Sequence, residues 1–336
     1  MAVNNTPFES SGETMWTPYM GGESFLQQLE AYSNRVSLIS LGASVEGRHI
    51  TGALIGYPSP DVSKNIVMIV AEQHGQEVAG REGCFKLIRD LAETNDEVVT
   101  SYLNRTTFLI VPTVNPDRLF IQRGNANNVD INRTYHTLSQ PESYAVMSAI
   151  KQYKPVVIID AHEGRNFPKD VATFAPDNPA IDAGIVNVSE LLRLHIDDAV
   201  VASDRTVQIY PTEGILGPEY LSTSGGLNYA ITIVLETRRT DNDSNPPPKS
   251  RVDDYMTCLD AVIDYHQNNE ELVYRTTYSA RHGETDIEDD NVVVGASGEV
   301  FAPELIKVLS GGLVVEPACL KVLSGGAPVI VWGRNE

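Results

Sequence analysis

The 336 residues hold 45 Asp and Glu against 25 Lys and Arg, a formal charge of −20, which argues against partners that need a basic surface, nucleic acid and anionic membranes among them. A composition that is 42% hydrophobic and 21% charged describes an ordinary soluble globular protein, long enough for one large α/β domain with or without a small appendage. No run approaches the roughly 18 apolar residues of a membrane span, and the polar N-terminus lacks the basic region and apolar core of a secretory signal, so the expected address is cytoplasmic.

Glu23–Val36 places apolar residues at helical spacing. Two strand-like runs follow, "VSLISLG" and "HITGALIGY", joined by "ASVEGR", and predict an edge hairpin. After a Pro-containing loop, Ile66–Ala71 reads as a buried strand. A helix is predicted over Val78–Thr94, with Phe85, Leu87, Ile88 and Leu91 on its inner face and Cys84 as plain core. Thr106–Val114 is the next strand; a long polar loop leads to a helix near Glu142–Tyr153 and a third strand, Pro155–Ala161. A helix over Ala180–Val200, a strand over Ala230–Glu236 and a closing helix, "DDYMTCLDAVIDYHQ", complete the pattern. β-Branched strands alternating with helices imply α/β architecture, a mostly parallel mixed sheet sandwiched by helices. Beyond about Glu271, short Val- and Gly-rich segments suggest a small all-β appendage, with "KVLSGG" at Lys307–Gly312 and again at Lys321–Gly326 as two similar hairpin arms. The expected division is a catalytic domain over 1–270 and a β-rich domain over 271–336. Cys84, Cys258 and Cys319 are too scattered for a zinc knuckle or a disulfide framework.

Ligands of open α/β sheets bind beyond the carboxyl ends of the strands. The four strong strands end in His74 and Glu77, in Asn115-Pro116-Asp117, in Asp160-Ala161-His162-Glu163, and in Glu236. His74, Glu77 and His162 make two imidazoles and one carboxylate, a set that holds zinc and leaves a position for water. His-x-x-Glu by itself recurs by chance; a second histidine at another strand end makes it a pattern. Glu236, ending the apolar run "ITIVL", is costly to bury unless it is paired or lines a cleft. Its functional reading is a general base; its ordinary one is an ion pair with Arg238 or Arg239.

The ordered set resembles the zinc carboxypeptidase family, the funnelins. "LGASVEGRHI" resembles the family's Gly-x-Ser-x-Glu-Gly-Arg hairpin, and "HGQE" its first metal pair. "NPD" and "RGNANNVDINRTY" resemble the Asn-Pro-Asp turn and the Arg…Gly-Val-Asp-Leu-Asn-Arg-Asn-Phe loop. "DAHEG" resembles the segment of the last zinc histidine, and "STSGGLNYAITIVLE" the Ser-Gly-Gly segment with the catalytic glutamate. The likeness spans about Glu23–Tyr265. It implies one zinc per chain on His74, Glu77 and His162, Glu236 as the base, Arg123 on the scissile carbonyl, and Asn132 and Arg133 on the substrate's terminal carboxylate. Tyr220 is the candidate for the substrate-covering tyrosine, with Tyr210 in reserve, and Asn228 for the specificity pocket.

Some features depart from the digestive carboxypeptidases. His74 and His162 are 88 positions apart (162 − 74), nearer the spacing of the deacylase branch, the aspartoacylase and succinylglutamate desuccinylase types. Glu163, directly after a zinc histidine, is open to three readings: orienting a ligand, binding an amino group, or facing solvent as the default. His136 reads as loop surface, and His49, His195, His266 and His282 as structural or surface residues. The expected function is a zinc-dependent carboxypeptidase acting on a peptide. A deacylase of N-acyl amino acids is the alternative, favoured by the short spacing and the appendage but opposed by the "ASVEGR" hairpin. A silent binding module is the third possibility, opposed by the complete metal set with Glu236 and Arg123.

Overall fold

In the computed structural model the described residues are 5–56, 65–165, 168–208, 217–239 and 247–283, with short strands at 293–294, 300–301, 306–309 and 312–315. The chain opens with a turn of helix, α1 (Pro7–Ser10), and α2 (Tyr19–Tyr32), then the predicted hairpin of β1 (Val36–Ala43) and β2 (His49–Ile55). Strand β3 (Asn65–Ala71) is followed by α3 (Ala79–Glu93) and α4 (Glu97–Arg105), and β4 (Thr106–Val111) by α5 (Pro141–Tyr153). Then come β5 (Val157–Arg165), β6 (Val171–Phe174), α6 (Ala183–Ala202), β7 (Val207–Gln208), α7 (Leu221–Leu227), β8 (Ile231–Arg239), α8 (Pro248–Asn268) and α9 (Glu270–His282).

The eight strands form one mixed sheet in the order β1-β2-β4-β3-β5-β8-β6-β7. The central β4-β3-β5-β8 pairings are parallel, while the β1–β2–β4 edge and the β8–β6 pair are antiparallel. Strands β3, β4 and β5 each feed two cores because alternate side chains leave opposite faces. Val67, Ile69 and Ala71 of β3 pack with α2, α3 and α8, whereas Met68 and Val70 pack with α5. The same alternation holds for Phe108 and Ile110 against Leu109 and Val111. A strand buried on both faces carries no polar position to spare, which is why these four runs were readable from sequence.

The predicted helices and strong strands lie within a few residues of their expected limits. Several elements have no counterpart in the sequence reading, α1 among them. Helix α4 is capped by Asp96, which accepts from Val98 and Val99; β6 and β7 are short edge strands, and α7 is a single Gly-containing helix of seven residues. Helix α9 occupies Glu270–His282, where short β segments were expected. Farther on, Ile306–Leu309 pairs antiparallel with Gly312–Val315, so the first "KVLSGG" copy contributes to a hairpin. The second copy, Cys319 and Tyr210 lie outside the described residues.

Most histidines fall where the sequence reading put them. His136 is exposed and His195 pairs with Asp264 at 3.0 Å on the surface. His266, on α8, is buried against α4, where its Nδ1 lies 2.7 Å from the Tyr102 hydroxyl. Burial, helped by the Arg105 charge, pushes His266 down to about 4. The unfolded chain therefore takes up a proton below about pH 6.5 that the folded chain refuses until about pH 4. This contribution to stability is complete above pH 6.5, is lost as the pH falls through that window, and amounts to about 3 kcal/mol. Urea unfolding at pH 7 and pH 4 should show a smaller acid loss in His266→Gln than in the parent by roughly that amount; equal losses would mean the imidazole does not couple to folding.

Candidate metal centre

The site begins with parity. On β5 the odd residues Val157, Ile159 and Ala161 enter one core, which turns Asp160 and His162 together onto the other face, at the strand's carboxyl end. His162 lies in register with Glu236 of β8. One strand further, β3 gives way to Glu72, which takes a left-handed φ of 54°, and then to Gln73, His74 and, across a tight turn, Glu77 at the same edge. The turn is closed by the Glu77 N–H donating to the His74 carbonyl at 2.9 Å. Gly75 permits it: a Cβ there would lie 2.0 Å from the Arg118 carbonyl oxygen.

His74, Glu77 and His162 are all buried and offer ligand atoms within 4.8 Å of one another. His74 Nδ1 lies 2.9 Å from Glu77 Oε1, His162 Nδ1 is 2.9 Å from Glu77 Oε2, and the two Nδ1 atoms are 3.2 Å apart. Each outer imidazole nitrogen meets a carboxylate: His74 Nε2 is 2.9 Å from Asp130 Oδ1, and His162 Nε2 is 2.8 Å from Asp160 Oδ1. Two imidazoles and a carboxylate converging on one point, with both distal nitrogens held by acceptors, is the donor chemistry of a zinc site. The residues fit the metal. Burial opposes ionisation of Glu77, yet the two imidazoles outweigh it and hold the carboxyl well below its usual range.

Arg123 and Asp130 complete the rim. Asp130 Oδ2 accepts from Arg123 Nε at 2.9 Å, and Arg123 Nη1 reaches Glu77 Oε1 at 3.2 Å. Asp130 also receives the Asn132 N–H, capping the short helical turn Ile131–Arg133 that presents Asn132 and Arg133. Asn132 is buried: its Nδ2 lies 2.9 Å from His162 Nε2 and 3.3 Å from Asp160 Oδ2, and its Oδ1 accepts from Leu221 N at 2.8 Å. Arg133 is part-exposed, and its guanidinium sits 4.2 Å from the Tyr220 ring centre. Arg123, Asn132, Arg133 and Tyr220 line one cleft with His74, Glu77, His162, Glu163, Glu236, Gln76, Val234 and Arg239. Burial lifts Glu236 to about 7, partly offset by the imidazoles and Arg123.

The sequence-predicted residues His74, Glu77, His162, Glu236, Arg123, Asn132, Arg133 and Tyr220 thus share one cleft. Asn228 does not line it; its amide donates to Ser224 O at the end of α7. Glu163 does not face solvent. Its odd parity turns it toward α8, where it is buried, pairs with Arg251 and accepts from Ala79 N, while its backbone N–H donates to Glu77 Oε2 at 3.2 Å. The sequence reading named no role for Asp130, Asp160 or Gln73. For Asp160 the signal was available in the two-residue step to His162, which places both on one face of a strand.

Comparison with known proteins places this geometry in context. A family model described as zinc carboxypeptidase matches residues 22–299. Carboxypeptidase D of Mus musculus is 32% identical over 189 residues, 46% of this chain and 14% of that protein; the Anas platyrhynchos protein of the same name is 31% identical over 245 residues, 61% of this chain and 17% of its own. The chain therefore spans only a small part of the length of these curated relatives. Among solved structures, a metallo-carboxypeptidase from Pseudomonas aeruginosa in complex with (2-guanidinoethylmercapto)succinic acid superposes with a TM-score of 0.64 at 21% identity, covering 76% of this chain and 70% of that one. A metallo-carboxypeptidase from Burkholderia cenocepacia gives a TM-score of 0.63 at 25% identity over 75% of this chain and 70% of that one.

Proposed function

This chain belongs to the zinc carboxypeptidase family, and we propose that it is a zinc-dependent metallocarboxypeptidase that removes the C-terminal residue of a peptide, with its catalytic unit in residues 1–270. The observation that carries this reading is the convergence of His74 Nδ1, Glu77 and His162 Nδ1 beneath a cleft that also holds Glu236 and two arginines.

His74, Glu77 and His162 would hold one zinc ion. When bound, it supplies a Lewis acid that polarises the scissile carbonyl and acidifies water. Glu236, lifted toward neutrality by burial, takes the proton of the attacking water and returns it to the departing amine. Arg123 is anchored through Nε to Asp130 and through Nη1 to Glu77, and its Nη2 donates to the carbonyl oxygen as negative charge develops there. Arg133 forms a two-point contact with the terminal carboxylate, Asn132 lies beside it, and the Tyr220 ring lies against the guanidinium.

The reading requires a free terminal carboxylate. N-blocked dipeptides should release free amino acids, and amidating the C-terminus should lower kcat/KM about a hundredfold, because a charge-assisted pair worth about 3 kcal/mol is lost. A preference for N-acyl amino acids over blocked dipeptides would instead identify a deacylase, and turnover of neither with zinc present would leave the fold as a binding module.

A further inference from the structure

Behind His162 lies a chain of buried polar groups that the reaction does not use. The Tyr135 hydroxyl donates to Gln73 Oε1 at 2.7 Å, Gln73 Nε2 donates to Asp160 Oδ1 at 2.5 Å, and Asp160 Oδ1 is 2.8 Å from His162 Nε2. Gln73 and Asp160 are wholly inaccessible to solvent and Tyr135 is 3% exposed. Each link has one direction only. Burial keeps the Tyr135 phenol protonated, well above its ordinary range, so it donates. A carboxylate only accepts, so the amide of Gln73 must turn its NH2 toward Asp160 and its oxygen toward Tyr135. That hydroxyl is also a departure, since Tyr135 stands where the Asn-Phe of the resembled loop carries phenylalanine.

The chain matters because neighbours compete at His162 Nε2, where Gln73 Nε2 itself also stands 3.4 Å away. Asp160 Oδ1 at 2.8 Å asks for a proton on Nε2; Asn132 Nδ2 at 2.9 Å offers its own and favours a bare nitrogen. If Asn132 prevailed in the neutral imidazole, the proton would sit on Nδ1 and block the atom that faces Glu77 and His74. A charged acceptor makes the stronger bond, provided that it is held in place. Asn132 then spends its amide on Asp160 Oδ2 at 3.3 Å instead.

We propose that Tyr135, through Gln73 and Asp160, positions His162 as its Nε2–H tautomer with Nδ1 free for the metal, so that Tyr135 and Gln73 are positioning residues of the centre. This rests on the zinc reading above. The test is the affinity for Zn²⁺ buffered by a competing chelator, measured on the full chain with Tyr135→Phe, Asp160→Asn and the double variant, alongside thermal melts. Asp160→Asn should weaken binding ten- to a hundredfold, in the range of other carboxylates behind metal-bound histidines. Tyr135→Phe, which keeps the ring, should weaken it three- to tenfold with its melting temperature within a few degrees of the parent. Because both act along one path, the double variant should bind no worse than Asp160→Asn alone. A parent-like affinity in Tyr135→Phe, or losses that multiply in the double variant, would overturn the relay and leave the zinc site standing. A parent that takes up no zinc would overturn the zinc reading itself, and the relay with it.

Discussion

Glu236→Gln should reduce kcat by about a thousandfold or more while leaving zinc content, fold and substrate KM near those of the parent. Glutamine keeps the shape of the side chain and can still contact water, but it cannot accept and return a proton, and proton transfer by a positioned group contributes about 10²–10⁴ to rate. Glu236 lies across the β5–β8 pairing from His162 and in the same cleft as Arg123, so the substitution touches the chemistry without removing a metal donor. The pH profile supplies an independent check. Burial lifts Glu236 to about 7 in the metal-free protein, and a dication beside it lowers that value. The acid limb of kcat/KM, where the base becomes protonated and activity falls, should therefore lie below pH 7 and vanish from whatever residual activity the variant retains. A variant that turns over at the parental rate would remove Glu236 from the mechanism whichever substrate is used.

Elemental analysis of the purified parent should find about one zinc per chain, and His74→Ala should lose it. The substitution removes one of three protein donors, so the loss in affinity should exceed the roughly hundredfold that an outer partner costs. It also leaves Asp130 and Glu77 facing a space that the imidazole had occupied between them, and a buried carboxylate that loses a hydrogen-bond partner destabilises the fold. The melting temperature of His74→Ala should accordingly fall even when both proteins are compared without metal, whereas Glu236→Gln should leave it nearly unchanged. A parent that holds no zinc and takes none up would end the hydrolase reading.

Much of the site was legible before any coordinates because its residues sit at the ends of the most readable elements. Strands β3, β5 and β8 are apolar on both faces, so a polar residue that ends one stands out, and His74, His162 and Glu236 were found that way. Glu163 was misjudged for a related reason. Only the pairing of α8 against β5 shows that its parity aims it at Arg251 and away from water. Tyr135, Gln73 and Asp160 are ordinary residues in sequence, 62 and 87 positions apart along their contacts, and their hydrogen bonds exist only once β3, β5 and the loop before α5 are side by side.

Local pattern therefore determined the α/β class, the order of the main strands and the identity of three candidate metal donors, because hydrophobic periodicity and strand termini are properties of short stretches of chain. The tertiary structure decided which nitrogen of each histidine faces its neighbours, which carboxylate backs it, and that Arg123, Arg133 and Tyr220 share a cleft with them. Those are distances between segments far apart in sequence. They are set by sheet order and register, which depend on how two cores pack against opposite faces of the same strands.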